Sequence, residues 1–427
     1  MIANTTNSGT TLSIPELLAP AGNMEKLITA IHYGADAVYL GGNNYSLRAG
    51  AGNFTNQEIS KAVSYAHDRK VQVYITVNIF AHNRDLKQFA EHLRSLQDTG
   101  ADGLIVADPG ILLLCKETIP DMPIHLSTQA NVTNSHSVRF WASQGVQRVN
   151  LARELGLEEI REIRQGIDTN TELEIFVHGA LCISYSGRCM LSNYLTGRDA
   201  NQGTCAHPCR YSYALVEEKR PGVYFPVEED ERGTYIFNSR DLCLLGCLPE
   251  LVAVGVNTIK IEGRMKSMGY VGAAVRIYRA ALDFIQEEMN RGVEITQISL
   301  PDSFKNEMNK IGTRGQTENF FNESPSSDAM LYDTIRINQQ YSPVGIVRAS
   351  TPLLIEARNV LTIGDRIEYL GRELEPITCT AVAMKTEDGK PKERANPGNR
   401  IILTTSPALE NPEINAVLRT KLDQKTR

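Results

Sequence analysis

No run of apolar residues in the 427-residue chain approaches the roughly 20 needed to cross a bilayer. The opening MIANTTNSGTTLSIPELLAP lacks the basic stretch and apolar core of a secretory signal, so a soluble, cytoplasmic protein is expected. Positive charge is not in excess. A formal net charge of −6 argues against broad, sequence-independent binding of nucleic acid by counterion release, while leaving room for a structured RNA on a local basic patch. HExxH is missing, which removes the two-histidine zinc site of that protease class. A GxSxG elbow is missing too, and with it that route to a serine nucleophile. Disulfides are not expected from eight cysteines in a long cytosolic chain, because that compartment is reducing. Their spacing must be read instead.

What is present is an alternation. ELLAPAG (16–22), DAVYLGG (36–42), VQVYITVN (71–78), GLIVAD (103–108), IHLSTQAN (124–131), VQRVNLAR (146–153), ELEIFVHG (172–179) and TIKIEGR (258–264) read as strands, each followed sooner or later by a helix-like run. Eight such units over roughly 270 residues predict a (β/α)8 TIM-like barrel. An open doubly wound sheet is the rival, disfavoured because no Gly-rich dinucleotide turn follows the first strand. The barrel domain is assigned to 1–289, with a Cys-rich and β insertion at about 180–257 whose second part reads as a hairpin or meander. Polar, Asn- and Ser-rich residues 290–340 read as a linker, and 341–427 as a small C-terminal β-barrel.

The strongest chemical signal is FVHGALCISYSGRCMLSNYLTGRDANQGTCAHPCRY, with Cys182-x6-Cys189-x15-Cys205-x3-Cys209. Four thiolates suit either a structural zinc or an iron–sulfur cluster. Zinc usually takes paired knuckles with two to four residues between ligands, and only the second pair here is that close. Spacing alone leaves both open. The insertion leaves the C-terminal end of the seventh strand, the face on which such barrels build active sites. Cys182 and His178 could form a nucleophilic Cys–His pair, but a metal-bound thiolate cannot attack a peptide.

Other polar residues fall at strand ends. His178 is a candidate proton donor or substrate hydrogen bond, against a structural histidine; His207 is read as orienting its loop. Glu262 and Arg264 close the eighth strand, where an Arg can grip a carboxylate or phosphate bidentately or brace the barrel rim. Asn78, Gln129 and Arg153 end strands three, five and six and are candidate substrate contacts. Arg48 and Asn53 lie on a Gly-rich second βα loop, a candidate substrate lip. Arg240 and Asp241 are placed near the cysteines or in an internal ion pair. Cys243 and Cys247, read as i,i+4 on a helix, and the isolated Cys115 and Cys379 are expected in the core.

The run Glu174-Ile-Phe-Val-His-Gly-Ala-Leu-Cys182-x4-Gly187-x-Cys189-Met-Leu-Ser192, with PELLAPAGNMEKLITAIHYGADAVYLGG, LSTQAN, NSRDLC and IKIEGRMKS, resembles the collagenase-like peptidase family U-32. The resemblance covers nearly all of the barrel, and the C-terminal domain is similar to the appendage of many members. It implies an oxygen-independent hydroxylase more than a protease. By that resemblance Cys182, Cys189, Cys205 and Cys209 hold an iron–sulfur cluster, expected to be 4Fe-4S. The architecture is most similar to the tRNA hydroxylation branch, which implies tRNA as partner, 5-hydroxyuridine at the wobble position as product and prephenate as co-substrate. The alternatives are a related hydroxylase of ribosomal RNA or a quinone precursor, a protease of collagen-like chains, and a zinc-stabilised binding protein without catalysis.

Overall fold

The structure, a computed structural model, describes residues 12–43, 45–46, 53–181, 189–200, 203–210, 214–216, 224–226, 238–312, 315–322, 330–331 and 339–422. Eight parallel strands form a ring: β1 (Glu16–Pro20), β2 (Ala37–Gly41), β3 (Gln72–Val77), β4 (Gly103–Val106), β5 (Ile124–Leu126), β6 (Arg148–Asn150), β7 (Glu172–Ala180) and β8 (Thr258–Ile261). β8 pairs with both β1 and β7, which closes the barrel. All eight strands expected from the apolar runs are there. Helices start where the sequence supplies caps: Thr55 and Glu58 make a reciprocal capping box for Asn56–His67, and Asp108 caps Pro109–Thr118.

The main apolar core lies between the strands and the surrounding helices. The ring interior is different. Among the described residues Leu18, Ala37, Tyr39, Tyr74 and Ile105 form a small separate apolar cluster there, and charge fills much of the rest. Arg148 reaches Glu16 and Glu172, each at 2.6 Å, and Lys260 reaches Glu174 at 2.7 Å. The strand sequences explain this, because E-L-E in β7 and T-I-K in β8 place charged or polar residues at every second position, on the face turned inward.

In the insertion, Ala214–Val216 pairs antiparallel with Tyr224–Pro226, as a hairpin should. Asp241–Cys243 adds antiparallel to the end of β7, and the helix Leu248–Val254 leads into β8. Cys243 therefore ends a strand and Cys247 lies in a 3-10 turn, rather than both on one helix; Cys115, Cys247 and Cys379 are buried.

The segment 290–340 is more than a linker. Phe304, Met308 and Ile311 are buried along and just beyond the helix Asp302–Met308. Glu307 on the same helix joins the two domains, taking Arg276 of the long helix Met268–Asn290 at 2.6 Å and Arg419 of the C-terminal domain at 2.8 Å. Tyr33 adds a neutral tie, donating to Leu370 O (2.8 Å) and accepting from Val417 N (2.9 Å). The C-terminal domain is a closed six-stranded barrel with its own core. Among the described residues no helix is long and apolar enough to cross a membrane.

Candidate active site

The C-terminal ends of the barrel strands open into a cavity of about 180 Å³, and the Cys-bearing insertion forms one wall of it. Cys189, Cys205 and Cys209 all line this cavity. Cys189 stands one residue before Met190, the N-cap position of the short helix Leu191–Thr196, and Pro208–Arg210 forms the turn that carries Cys209. Buried Ser192 binds the two pieces together, its Oγ accepting from Ala206 N at 2.9 Å. His207, in the left-handed region at φ 57°, donates its backbone N–H to Cys205 Sγ at 3.3 Å, and its Nδ1 lies 3.8 Å from the same sulfur. That matches its expected role in orienting the loop. Cys182 and Arg48 lie outside the described residues. Among those described, no group of three or more His, Cys, Asp or Glu side chains stands close enough to hold a metal ion.

Arg264 lines the same cavity and is 3% exposed. Its Nη1 donates to Ser46 Oγ (2.8 Å) and Thr76 Oγ1 (3.0 Å), and its Nη2 to Asn53 Oδ1 (2.7 Å). Asn53 thus acts by holding the arginine. Glycines let the Glu262–Arg264 turn lie flat on the strand ends. A Cβ on Gly22 would stand 2.1 Å from Arg264 O, one on Gly41 2.0 Å from Arg264 Nη2, and one on Gly179 2.5 Å from Glu262 O. Gly41→Ala should therefore push the guanidinium aside and destabilise the fold by about 1–3 kcal/mol, as overpacking does. Denaturant unfolding checks it, and an unchanged midpoint would show that the wall yields freely.

Glu262 takes part in a second cluster. Tyr39 Oη lies 2.9 Å from Ile261 O and 3.2 Å from Glu262 Oε2, one proton shared between two acceptors. Below it, the Lys260 ammonium sits 4.5 Å from the centre of the Tyr39 ring and 5.4 Å from that of Phe176. Glu174 Oε1 accepts from Lys260 Nζ and, at 2.6 Å, from Asn150 Nδ2. Asn78 Nδ2 donates to Gln129 Oε1 at 2.6 Å, and Arg153 Nη1 to Ala180 O at 3.1 Å.

Of the residues proposed from sequence, Glu262, Arg264, Asn78, Gln129 and Arg153 line the cavity together with the three described cysteines. His178 does not. It is 1% exposed and packs between β7 and the helix Met268–Asn290, 5.6 Å from the Tyr270 ring and 5.5 Å from that of Tyr278. Arg240 and Asp241 also miss the cavity lining: the Arg240 side chain packs over Gly315, and Asp241, fully buried, faces Lys266 Nζ at 3.6 Å. Tyr39, Asn150, Glu174 and Lys260 were not anticipated. The signal for three of them was the charged or polar residue at alternate positions of short apolar strands.

Burial pushes the imidazoles of His178 and His32 down to about 4. In the unfolded chain each titrates near 6.5, so between those values the unfolded state binds more protons. Their contribution to stability is complete above about pH 6.5 and is lost as pH falls toward 4. Unfolding free energy should drop from pH 7 to 4.5, on the order of 2 kcal/mol per histidine. His32→Gln should flatten that slope; an unaltered slope contradicts the assignment.

Comparison with known proteins places this geometry. The model of peptidase family U32 matches residues 22–331, and that of its C-terminal domain residues 339–419. The chain is 38% identical over 386 residues to tRNA hydroxylation protein P1 of Bacillus subtilis, covering 89% of each. It is 36% identical over 399 residues to an uncharacterized protease of Methanocaldococcus jannaschii, covering 90% of this chain and 94% of that one. To the 23S rRNA 5-hydroxycytidine C2501 synthase of Escherichia coli it is 36% identical over 307 residues, covering 72% of this chain and 45% of that one. The chain belongs to peptidase family U32.

Proposed function

We propose that the protein is an RNA-modifying hydroxylase whose substrate is tRNA. The observation that carries this reading is the meeting, in one cavity at the mouth of the barrel, of three cysteines from the insertion with Arg264, Arg153 and several uncharged polar side chains. Relatives named for hydroxylation of tRNA and for 5-hydroxycytidine in rRNA support the same class of reaction. In its finer form, the product is 5-hydroxyuridine at the wobble position, and prephenate is the co-substrate that supplies oxygen.

The cofactor in this reading is an iron–sulfur cluster, expected to be 4Fe-4S, on Cys182, Cys189, Cys205 and Cys209. The chemistry of the donors suits it: the three described cysteines line the same cavity, though they do not stand close enough to hold a metal among themselves, and Cys205 Sγ accepts a backbone N–H, as cluster sulfurs do. When bound, such a group supplies one-electron chemistry inside the cavity. The chain's own residues hold the reactants. Arg264, with its fork fixed by three neutral oxygens, presents fixed positive charge to a carboxylate. Ile105, Phe176, Leu181 and Leu191 supply the apolar wall that limits water.

A second reading is favoured by the rRNA-modifying relative, namely a cytidine of ribosomal RNA as target. Mass spectrometry of nucleosides from tRNA and rRNA of a deletion strain separates the two. Loss of 5-hydroxyuridine from tRNA alone, restored by the gene in trans, is the expected result. Unchanged tRNA in the deletion strain overturns the tRNA reading.

A further inference from the structure

Gln129, on the 3-10 turn that follows β5, and Asn150, the last residue of the neighbouring strand β6, both line the cavity. They are 6% and 1% exposed. In each amide one end is committed. Gln129 Oε1 accepts from Asn78 Nδ2 at 2.6 Å and from Ser127 Oγ at 3.1 Å. Asn150 Nδ2 donates to Glu174 Oε1 at 2.6 Å, the same oxygen that Lys260 holds. An ionised carboxylate oxygen only accepts, so it fixes which way Asn150 faces. The other two ends, Gln129 Nε2 and Asn150 Oδ1, are buried and make no hydrogen bond among the described residues. Leaving a donor or acceptor in that state is destabilising. Here one wall carries one of each.

We infer that this pair reads the Watson–Crick edge of a uracil: Gln129 donates to O4 and Asn150 accepts from N3–H. This inference rests on the RNA hydroxylase reading and deepens it. Cytosine presents the reverse pattern, an amino donor at C4 and an acceptor at N3, so both contacts would oppose like against like. A base taken out of its stack is read by this edge. Fixing O4 and N3 also fixes C5, the neighbour of C4, inside the cavity.

Two anticodon stem-loop RNAs that differ only in uridine or cytidine at the wobble position test the pair, with binding to the full-length protein followed by fluorescence anisotropy. The wild type should favour uridine by tenfold or more. Gln129→Glu, which replaces a donor by an acceptor, should bring the ratio to about one or invert it, and Gln129→Leu should weaken uridine alone. Thermal unfolding confirms that the variants fold. A ligand-side probe needs no variant: N3-methyluridine at the wobble position should bind at least tenfold more weakly than uridine. A wild type without preference, folded variants with an unaltered ratio, or indifference to N3-methylation each overturns the reader. The hydroxylase reading fails separately, when deletion of the gene leaves tRNA nucleosides unchanged.

Discussion

Cys205→Ser should abolish RNA hydroxylation while leaving the fold almost untouched. Cys205 is half-buried and, among the described residues, belongs to neither apolar core, so its loss should move the thermal midpoint little. In the proposed cluster, losing a thiolate ligand should lower hydroxylated nucleoside at least about 100-fold, the upper range seen when groups that merely support a metal ligand are lost. Cys115→Ser should do the opposite. That thiol is 1% exposed, and its apolar surroundings push its pKa up to about 12. A hydroxyl there lacks a partner and costs about 1–3 kcal/mol, yet tRNA should keep its modification in cells where the variant accumulates. Nucleoside mass spectrometry and calorimetry on the two variants read both axes. If the two behave alike, the division between site and core thiols is wrong.

The second large effect concerns the pair at the floor of the cavity. Lys260 and Glu174 are 3% and 1% exposed and stand 2.7 Å apart. Lys260→Met leaves the carboxylate buried with Asn150 as its close donor and Arg148 at 3.9 Å. Breaking a buried pair from one side costs about 3–5 kcal/mol, chiefly through the charge left behind. Removing both charges, in Lys260→Met with Glu174→Leu, should recover most of that loss, since a buried pair contributes little net stability against an apolar replacement. Activity should not recover with it, because Asn150 then loses the acceptor that orients it. Denaturant unfolding of the two singles and the double gives the coupling directly; additive losses would contradict it.

The barrel was legible because each strand is a short apolar run of its own, and a parallel strand covered on both faces needs no more than that. The cysteine wall was legible for a different reason, that few residue types bind metal and four lay close together. The misplacement of His178 has a geometric cause. Strict alternation along β7 sends Glu174, Phe176 and then His178 inward. The pairing with β8 slips instead: Lys260 faces Phe176 while the next residue, Ile261, faces His178. That extra residue on β7 is a bulge, and it turns His178 toward the outer helices. Nothing in a single sequence marks such a slip except Gly179, whose φ of 114° and closeness to Glu262 both follow from it.

The segment 290–340 was misread because its composition is polar and rich in Asn and Ser. The spacing of Phe304, Met308 and Ile311 at i, i+4 and i+7 was the helical signal beneath them. The interior ion pairs were concealed in another way. Polar residues at alternate strand positions usually face water, and only closure of the ring turns them into a lattice around the site.

The central claim is tested most directly by metal and acid-labile sulfide analysis of protein purified without oxygen. About four irons and a matching amount of sulfide per chain are expected, both lost together when Cys189 or Cys209 becomes serine. One zinc per chain with no labile sulfide would contradict it, and with it the assignment of hydroxylation to this cavity.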